Sequence, residues 1–530
     1  MKASSPANAE SRRPWEGAVG APADARLTWR AFLTLLSALL QQGARTVVGL
    51  VVTPIVIRGL GKELYGAWMM IQQSVGYLAL SDLRPMGTLK YTLALRQQAQ
   101  DVSEKRRLIG AALALWAFTF PILLLLGVGL VWVTPALIRT ASGGVNAVRL
   151  AMGMVCIGVA MDRLLSLPAN VLRGQNLEYK AMWVNAAAVV AGGALTAGAV
   201  WAGWGLPGVA GAGLVGVVLT GGTWGWVTRR VLPWFGAERP RKAELVQFTQ
   251  VSAWNFFNAL SWLLVSSDIL LVGLLMGPSA AAIYSTTGIV MRLAVAFAVQ
   301  MLTAGNAGLG DLCGQKAWER VEQVRVEMAR FALAVTTVVG AGVLALNQAF
   351  LGLWVGEGLF GGVALNLLLV LAGIETLVFT VDSQVLDTLL EFKPKTTALL
   401  LCGVFVWTAG PLLSRAWGAA GVAFALLLAY GGLMVYQPLL IRRRTGIAIW
   451  PHARGLVRPG LVAGLVLAAA WMLPLQLVPR TWAGFVGSAV AVGGVAGALV
   501  WAVGLSARAR AELLARGRFL LQQRRGNPGR

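Results

Sequence analysis

Two arginines stand inside apolar runs where an arginine is expensive. Arg45 lies within the run 33–57 and Arg292 within the run 280–308. A guanidinium keeps its charge at any working pH, and its planar fork of donors matches phosphate or carboxylate oxygens. Placing one in mid-membrane costs about 2.5–3.5 kcal/mol on insertion scales. An anionic partner or ligand relieves that cost, so both read as lining a cavity that takes an anion, with phosphate the natural match. Other polar groups share such runs. Gln41, Gln42, Arg45 and Thr46 are linked by three- and four-residue spacings and fall on one helical face. Asn255, Asn258, Ser261 and Asp268 form a polar ridge, with Ser266 and Ser267 just before Asp268. Gln300 and Asn306 follow Arg292, Gln72, Gln73 and Asp82 lie together, and Glu375, Asp382 and Gln384 share a later run. Asp82 and Asp387 stand near run ends and read as interfacial. Asp268 has two readings, an ion pair that holds helices together or a substrate contact. Glu375 likewise reads as a site for a coupling proton or cation, or as a packing hydrogen bond.

No residue set of a familiar enzyme is present. The chain lacks a phosphate-cradling glycine loop ending in Lys-Ser or Lys-Thr, a G-x-S-x-G elbow and an H-E-x-x-H helix. Cys156, Cys313 and Cys402 are far apart, which argues against a zinc site or disulfide framework. His452, the single histidine, sits among basic residues and reads as solvated. We therefore expect a non-enzyme with no cofactor and no metal.

The elements that must position these groups are membrane spans. Hydrophobic residues make up 57% of the 530-residue chain and charged residues 13%, about half the soluble norm. The apolar residues fall in blocks, and about 20 in a row span the hydrocarbon as a helix. The expected fold is all-α integral membrane, with about 14 transmembrane helices arranged as two six-helix repeats plus two C-terminal helices. Expected units are a disordered tail at 1–30, a first lobe at 31–228, a linker at 229–245 and a second lobe at 246–440. Two further spans at 441–505 and a basic tail at 506–530 complete the chain, the latter forming a helix on the membrane surface. The net charge of +23 resides mainly in alternate loops, such as Lys105-Arg106-Arg107 and Arg442-Arg443-Arg444. By the positive-inside rule both termini are cytoplasmic. The basicity is thus topological and implies no nucleic acid. Trp68, Trp132, Trp201, Trp204, Trp354 and Trp482 lie near span ends and read as an interfacial belt, whereas Trp254 and Trp262 read as core.

Two hairpins head the two halves. Arg58-Gly59-Leu60-Gly61-Lys62-Glu63 is followed by Tyr65-Gly66, and Gly277 after a similar apolar run is followed by Tyr284. Such repeats build many transporters. The expectation is a cavity between the halves, lined by the first, second, seventh and eighth spans.

The runs PIVIRGLGKELYGAW and YLALSDLRPMGTLKYTLAL, with Ser267-Asp268-Ile269, Gly277 and Tyr284, resemble the signatures of Wzx-like polysaccharide transporters. These belong to the multidrug/oligosaccharidyl-lipid/polysaccharide (MOP) flippase superfamily. The resemblance implies a bacterial inner-membrane flippase moving undecaprenyl-diphosphate-linked oligosaccharide units for polysaccharide biosynthesis, without ATP hydrolysis of its own. Its implied partners are the lipid-linked oligosaccharide, membrane lipids and the polysaccharide assembly machinery. Related lipid II flippases use cavity arginines on the first, second and eighth helices. Arg45 and Arg292 look similar to the first and eighth of these, and Arg84 stands at the end of the second span. The chain departs from the pattern at Asp82-Leu83-Arg84-Pro85, where the family more often has Asp-Leu-Gly. The competing readings are a multidrug and toxin exporter of the same superfamily, a membrane glycan ligase or polymerase, and a non-transporting scaffold. Two buried arginines argue against export of cationic drugs, and short loops argue against a ligase or polymerase.

Overall fold

A computed structural model describes residues 22–78, 83–95, 101–138, 144–175, 177–303, 306–389, 391–472, 479–504 and 510; side chains are described from Leu36 on, except at 37–38, 254–255, 306–308 and 451. The first half comprises α1 (Pro22–Leu78), α2 (Pro85–Leu95), α3 (Val102–Leu137), α4 (Val145–Leu165), α5 (Leu167–Gly174), α6 (Met182–Trp201) and α7 (Gly205–Val231). The second comprises α8 (Lys242–Val265), α9 (Asp268–Met276), α10 (Pro278–Thr287), α11 (Ile289–Thr303), α12 (Asn306–Gly314), α13 (Trp318–Trp354), α14 (Val363–Thr388), α15 (Phe392–Trp417) and α16 (Ala419–Thr445). Then come α17 (Ile449–Met472) and α18 (Trp482–Leu499).

Eleven described helices are long and apolar enough to cross a membrane, or 13 if the bent pairs α8–α9 and α10–α11 are one span each. The stretch Leu39–Leu78, one span in that count, is itself two arms that break at Gly61 (φ 78, ψ 168), which brings the number to about fourteen. The chain is an all-α, multi-pass membrane protein.

The repeat is visible in the backbone. Gly277 (φ 90, ψ 170) adopts nearly the conformation of Gly61, so each half turns between its first two spans on a glycine that a side chain would strain. Tyr65 and Tyr284 follow their glycines at unequal distances and are not equivalent. Packing repeats as well. In the first half α3 packs on α4, α4 on α7, α1 on α6, and α6 on α7; in the second α13 packs on α14, α14 on α16, α8 on α15, and α15 on α16. α17 and α18 dock on α13 of the second half. The short helices α2 and α12 occupy matching places after the second and eighth spans.

Several boundaries differ from the sequence reading. Helix α1 starts at Pro22, inside the expected tail 1–30, and α8 starts at Lys242, inside the expected linker 229–245. The rest of the linker lies along α3: the Glu238 amide donates to the Arg106 carbonyl (3.1 Å) and Arg106 Nε donates to the Trp234 carbonyl (2.8 Å). Residues 1–21 and the expected surface helix after Ala507, Arg510 excepted, lie outside the described residues, as does Asp82. Leu83 and Arg84 both have positive φ (52 and 51), so the departure from Asp-Leu-Gly places an arginine where glycine fits without strain. The tryptophans divide: Trp132, Trp201, Trp204 and Trp482 are exposed, but Trp354 is buried and its Nε1 donates to the Leu50 carbonyl (2.7 Å). Trp262 stacks on Phe379, with ring centroids 5.7 Å apart.

The two hairpins meet where the second arm of α1 crosses α10. A Cβ on Gly66 would stand 1.8 Å from the Pro278 carbonyl oxygen, with only backbone to yield. Gly66→Ala is expected to cost at least about 3 kcal/mol, the upper end for overpacking. Gly43→Ala, with nothing within 4 Å, is its control. Equal unfolding midpoints for the two variants in detergent would show that the hairpins are not packed this closely.

Candidate functional site

Arg45 opens into a cavity of about 350 Å³ within the first half. Both arms of α1 line it, the second through Tyr65, Trp68 and Gln72, and α6 and α7 complete the wall through Gly193, Thr196 and Gly213. Trp68 therefore faces a cavity as well as marking a span end. Arg45 is exposed and, among the described residues, has no hydrogen-bond or ion-pair partner. It lies about 24 Å along the helix from Gly61 at 1.5 Å per residue, most of the roughly 30 Å hydrocarbon thickness. Arg45 is thus near the opposite end of the first span from the hairpin turn, because α1 runs on well beyond the apolar block.

Two cations that the sequence reading passed over come from the helices at that end. Arg173 in α5 and Glu178 lie within electrostatic reach of Arg45, and the same pair acts on Lys90 of α2. α2 and α5 are pressed together at Gly174, where a Cβ would meet Leu93 Cβ at 2.8 Å and the Lys90 carbonyl at 2.9 Å. Arg173 donates from Nε to Glu178 (2.9 Å) and lies over the Trp224 ring. Burial is the main cause that lowers the Lys90 ammonium from its ordinary value; the Arg173 guanidinium adds to it and Glu178 opposes it. Three cations and one carboxylate leave the cluster positive. The signal in the sequence was only that Lys90 and Arg173 fall in short segments flanking spans, which the positive-inside rule explains equally well.

Arg292 is placed differently. It sits just past a 54° bend between α10 and α11, and α8 meets α9 at 46° beside it. Its NH1 is 3.4 Å from Asp268, and its NH2 donates to the carbonyls of Tyr284 (3.1 Å) and Ser285 (3.0 Å). Asn347 donates to the Thr287 carbonyl at the same bend (2.8 Å). Arg292 thereby satisfies carbonyls that the broken helix leaves free, and Asp268 balances its charge. Asp268 is buried in the first turn of α9. Tyr65 links the regions, since it lines the Arg45 cavity and lies within electrostatic reach of Arg292. The structure gives no direct contact between the two arginines. Gln41, Gln42 and Asn258 are half-buried and have no side-chain partner among the described residues; the Asn255 side chain lies outside them.

The α8–α9 bend is clasped from the other half. Gln73 donates to the Ser266 carbonyl (3.1 Å) and accepts from the Leu270 amide (2.8 Å), while Tyr77 donates to Ser267 Oγ (2.6 Å). Gln73→Leu leaves the buried Leu270 amide unpaired and should cost about 1–3 kcal/mol, whereas Gln73→Glu keeps an acceptor and should cost less. Thermal unfolding of the two variants side by side checks the order; equal losses would remove the clasp.

No protein-family model matches the sequence, and no curated protein matches it either. Solved structures do. An inward-facing multidrug resistance MATE family transporter of the MOP superfamily aligns at TM-score 0.58 and 17% identity, over 76% of this chain and 94% of that one. The chain has the fold of these transporters. An outward-facing multidrug resistance MATE family transporter of the MOP superfamily aligns at 0.57 and 16% identity, over 79% and 95%. A MOP superfamily transporter from Pyrococcus furiosus, described as having a binding pocket of reverse polarity that suggests a different function, aligns at 0.56 and 16% identity, over 79% and 95%. Likeness at this identity extends to the fold alone.

Proposed function

We propose that the chain is a transporter, and specifically a flippase for undecaprenyl-diphosphate-linked oligosaccharides in a bacterial inner membrane, with both termini cytoplasmic. The observation that carries this reading is Arg45: a permanent charge on a cavity wall, unpaired among the described residues, with the Arg173 guanidinium within electrostatic reach. A diphosphate supplies the missing anion, and guanidinium groups bind its oxygens in pairs. The oligosaccharide enters the cavity at Arg45 while the polyprenyl tail stays in lipid. Gln41, Gln42, Asn255 and Asn258 are the proposed sugar contacts. Arg292 and Asp268 hold the bent seventh and eighth spans, whose movement would expose the site to either side in turn. The Pyrococcus transporter, with its binding pocket of reverse polarity, supports the reading in one respect, because this fold then accommodates pockets of differing polarity.

The second reading is a multidrug exporter, as in the MATE neighbours. Glu375 favours it, since its Oε2 is shielded without a hydrogen-bond partner among the described residues and could take a cation or proton. One experiment separates the two. Proteoliposomes are loaded with a fluorescent undecaprenyl-diphosphate oligosaccharide or with ethidium, and a flippase-null strain tests export of its own repeat unit. Lipid translocation with complementation is expected; ethidium export without either would establish the drug reading instead.

A further inference from the structure

A second cavity of about 550 Å³ runs between α3 and α4 and shares no residue with the one at Arg45. Its walls include Trp116, Phe120, Gly127, Trp132, Gly153 and Ile157, and they are almost wholly apolar. Several wall residues are exposed, Trp132 at 64% and Ile157 at 53% among them, so the groove faces the surrounding bilayer. Gly153 keeps it open: an added Cβ would meet only Val131, at 3.9 Å, and would otherwise project into free space.

One end of this groove carries a cation. Arg149 precedes Gly153 by one helical turn and so shares its face. Its guanidinium carbon lies 4.5 Å from the centre of the Trp132 ring, which forms that end of the groove. Its Nε is shielded from solvent and, among the described residues, has no hydrogen-bond acceptor. From Arg149 to Leu164, at the other end of the groove, α4 runs about 22 Å, the scale of a chain descending from headgroup level into the hydrocarbon.

We propose that this groove is a binding site for an anionic phospholipid, with one acyl chain between α3 and α4 and the phosphate on Arg149. Charge complementarity selects the occupant, because an apolar channel ending in a guanidinium that has no carboxylate partner among the described residues fits an amphiphile with an anionic head. Separation from the Arg45 cavity makes it a resident-lipid site and not part of a transport path.

The test is native mass spectrometry of the full-length chain in detergent with equimolar phosphatidylglycerol and phosphatidylethanolamine. Wild type should retain phosphatidylglycerol about fivefold more, the ratio equivalent to about 1 kcal/mol for one basic residue at an anionic surface. Arg149→Gln should abolish the preference, Arg149→Lys should restore most of it, and Gly153→Leu should reduce retention of both lipids. Wild type without a preference, or a preference unchanged in Arg149→Gln, would overturn the proposal, as would displacement of phosphatidylglycerol by equimolar undecaprenyl phosphate. If Arg149→Gln does not elute as a folded species, the wild-type ratio and Gly153→Leu decide alone: no preference, or full retention in Gly153→Leu, overturns it.

Discussion

Arg45→Ala should lower lipid-linked oligosaccharide transport at least about tenfold while leaving the protein at normal abundance in the membrane. The first half of that expectation follows from the energy of a hydrogen bond to a charged group, about 1.5–3 kcal/mol, or about ten- to a hundredfold in an equilibrium. The second follows from the structure. Arg45 faces its cavity without an ion pair or hydrogen bond among the described residues, so its removal orphans no buried group. Arg45→Lys should recover part of the activity, since charge returns without the bidentate fork. Arg292→Ala should behave in the opposite way. It strands Asp268 and the Tyr284 and Ser285 carbonyls at a helix bend, so abundance and thermal stability should fall with transport. Complementation scored against immunoblot abundance reads both quantities. Full export by Arg45→Ala at normal abundance would remove the diphosphate site. A normal level of Arg292→Ala that fails only in transport would return Arg292 to the cavity.

The largest stability effect is expected at a buried ionic cluster in the first turns of α13. Arg325 is 2% exposed; its Nε donates to Asp382 (2.6 Å) and its NH1 donates to Glu322 (3.1 Å). His452 of α17 lies 3.1 Å from the second oxygen of Glu322, and Arg330 donates to the Gly455 carbonyl (3.0 Å). This corrects the view of His452 as solvated: it is in the first turns of α17 and buried against α13. The cluster ties α17 to the second half. Asp382→Ala leaves a buried guanidinium short of one carboxylate and should cost about 3–5 kcal/mol. Joint replacement of Arg325 by Met and Asp382 by Leu should recover most of that, because the desolvation of both charges disappears together. Unfolding in SDS of the single and double variants measures the difference. A double variant no better than Asp382→Ala would mean that the pair is not energetically coupled.

What the sequence determined by itself was the membrane class, the approximate number of spans and the doubling of a six-helix unit. Each depends on local properties. Twenty apolar residues in lipid satisfy their backbone only as a helix, and a glycine with positive φ marks a turn wherever it stands. Arg45 and Arg292 were legible for the same reason, since the cost of a guanidinium in an apolar run needs no partner to be recognised. Which arginine is engaged was decided only by tertiary structure. Arg292 meets Asp268, 24 residues away, because two helices bend side by side and expose carbonyls that hydropathy does not report. Arg173 is within electrostatic reach of both Arg45 and Lys90 because α2 and α5 pack at Gly174, and their positions in sequence carry no sign of it. His452 sat in a basic segment that looked solvated, yet the first turns of α13 and α17 continue the helices beyond their apolar blocks and pack there, which brings His452 to Glu322 and Arg325. A charge's position along the chain fixes the cost of burying it, whereas the relief of that cost comes from residues that only packing brings near.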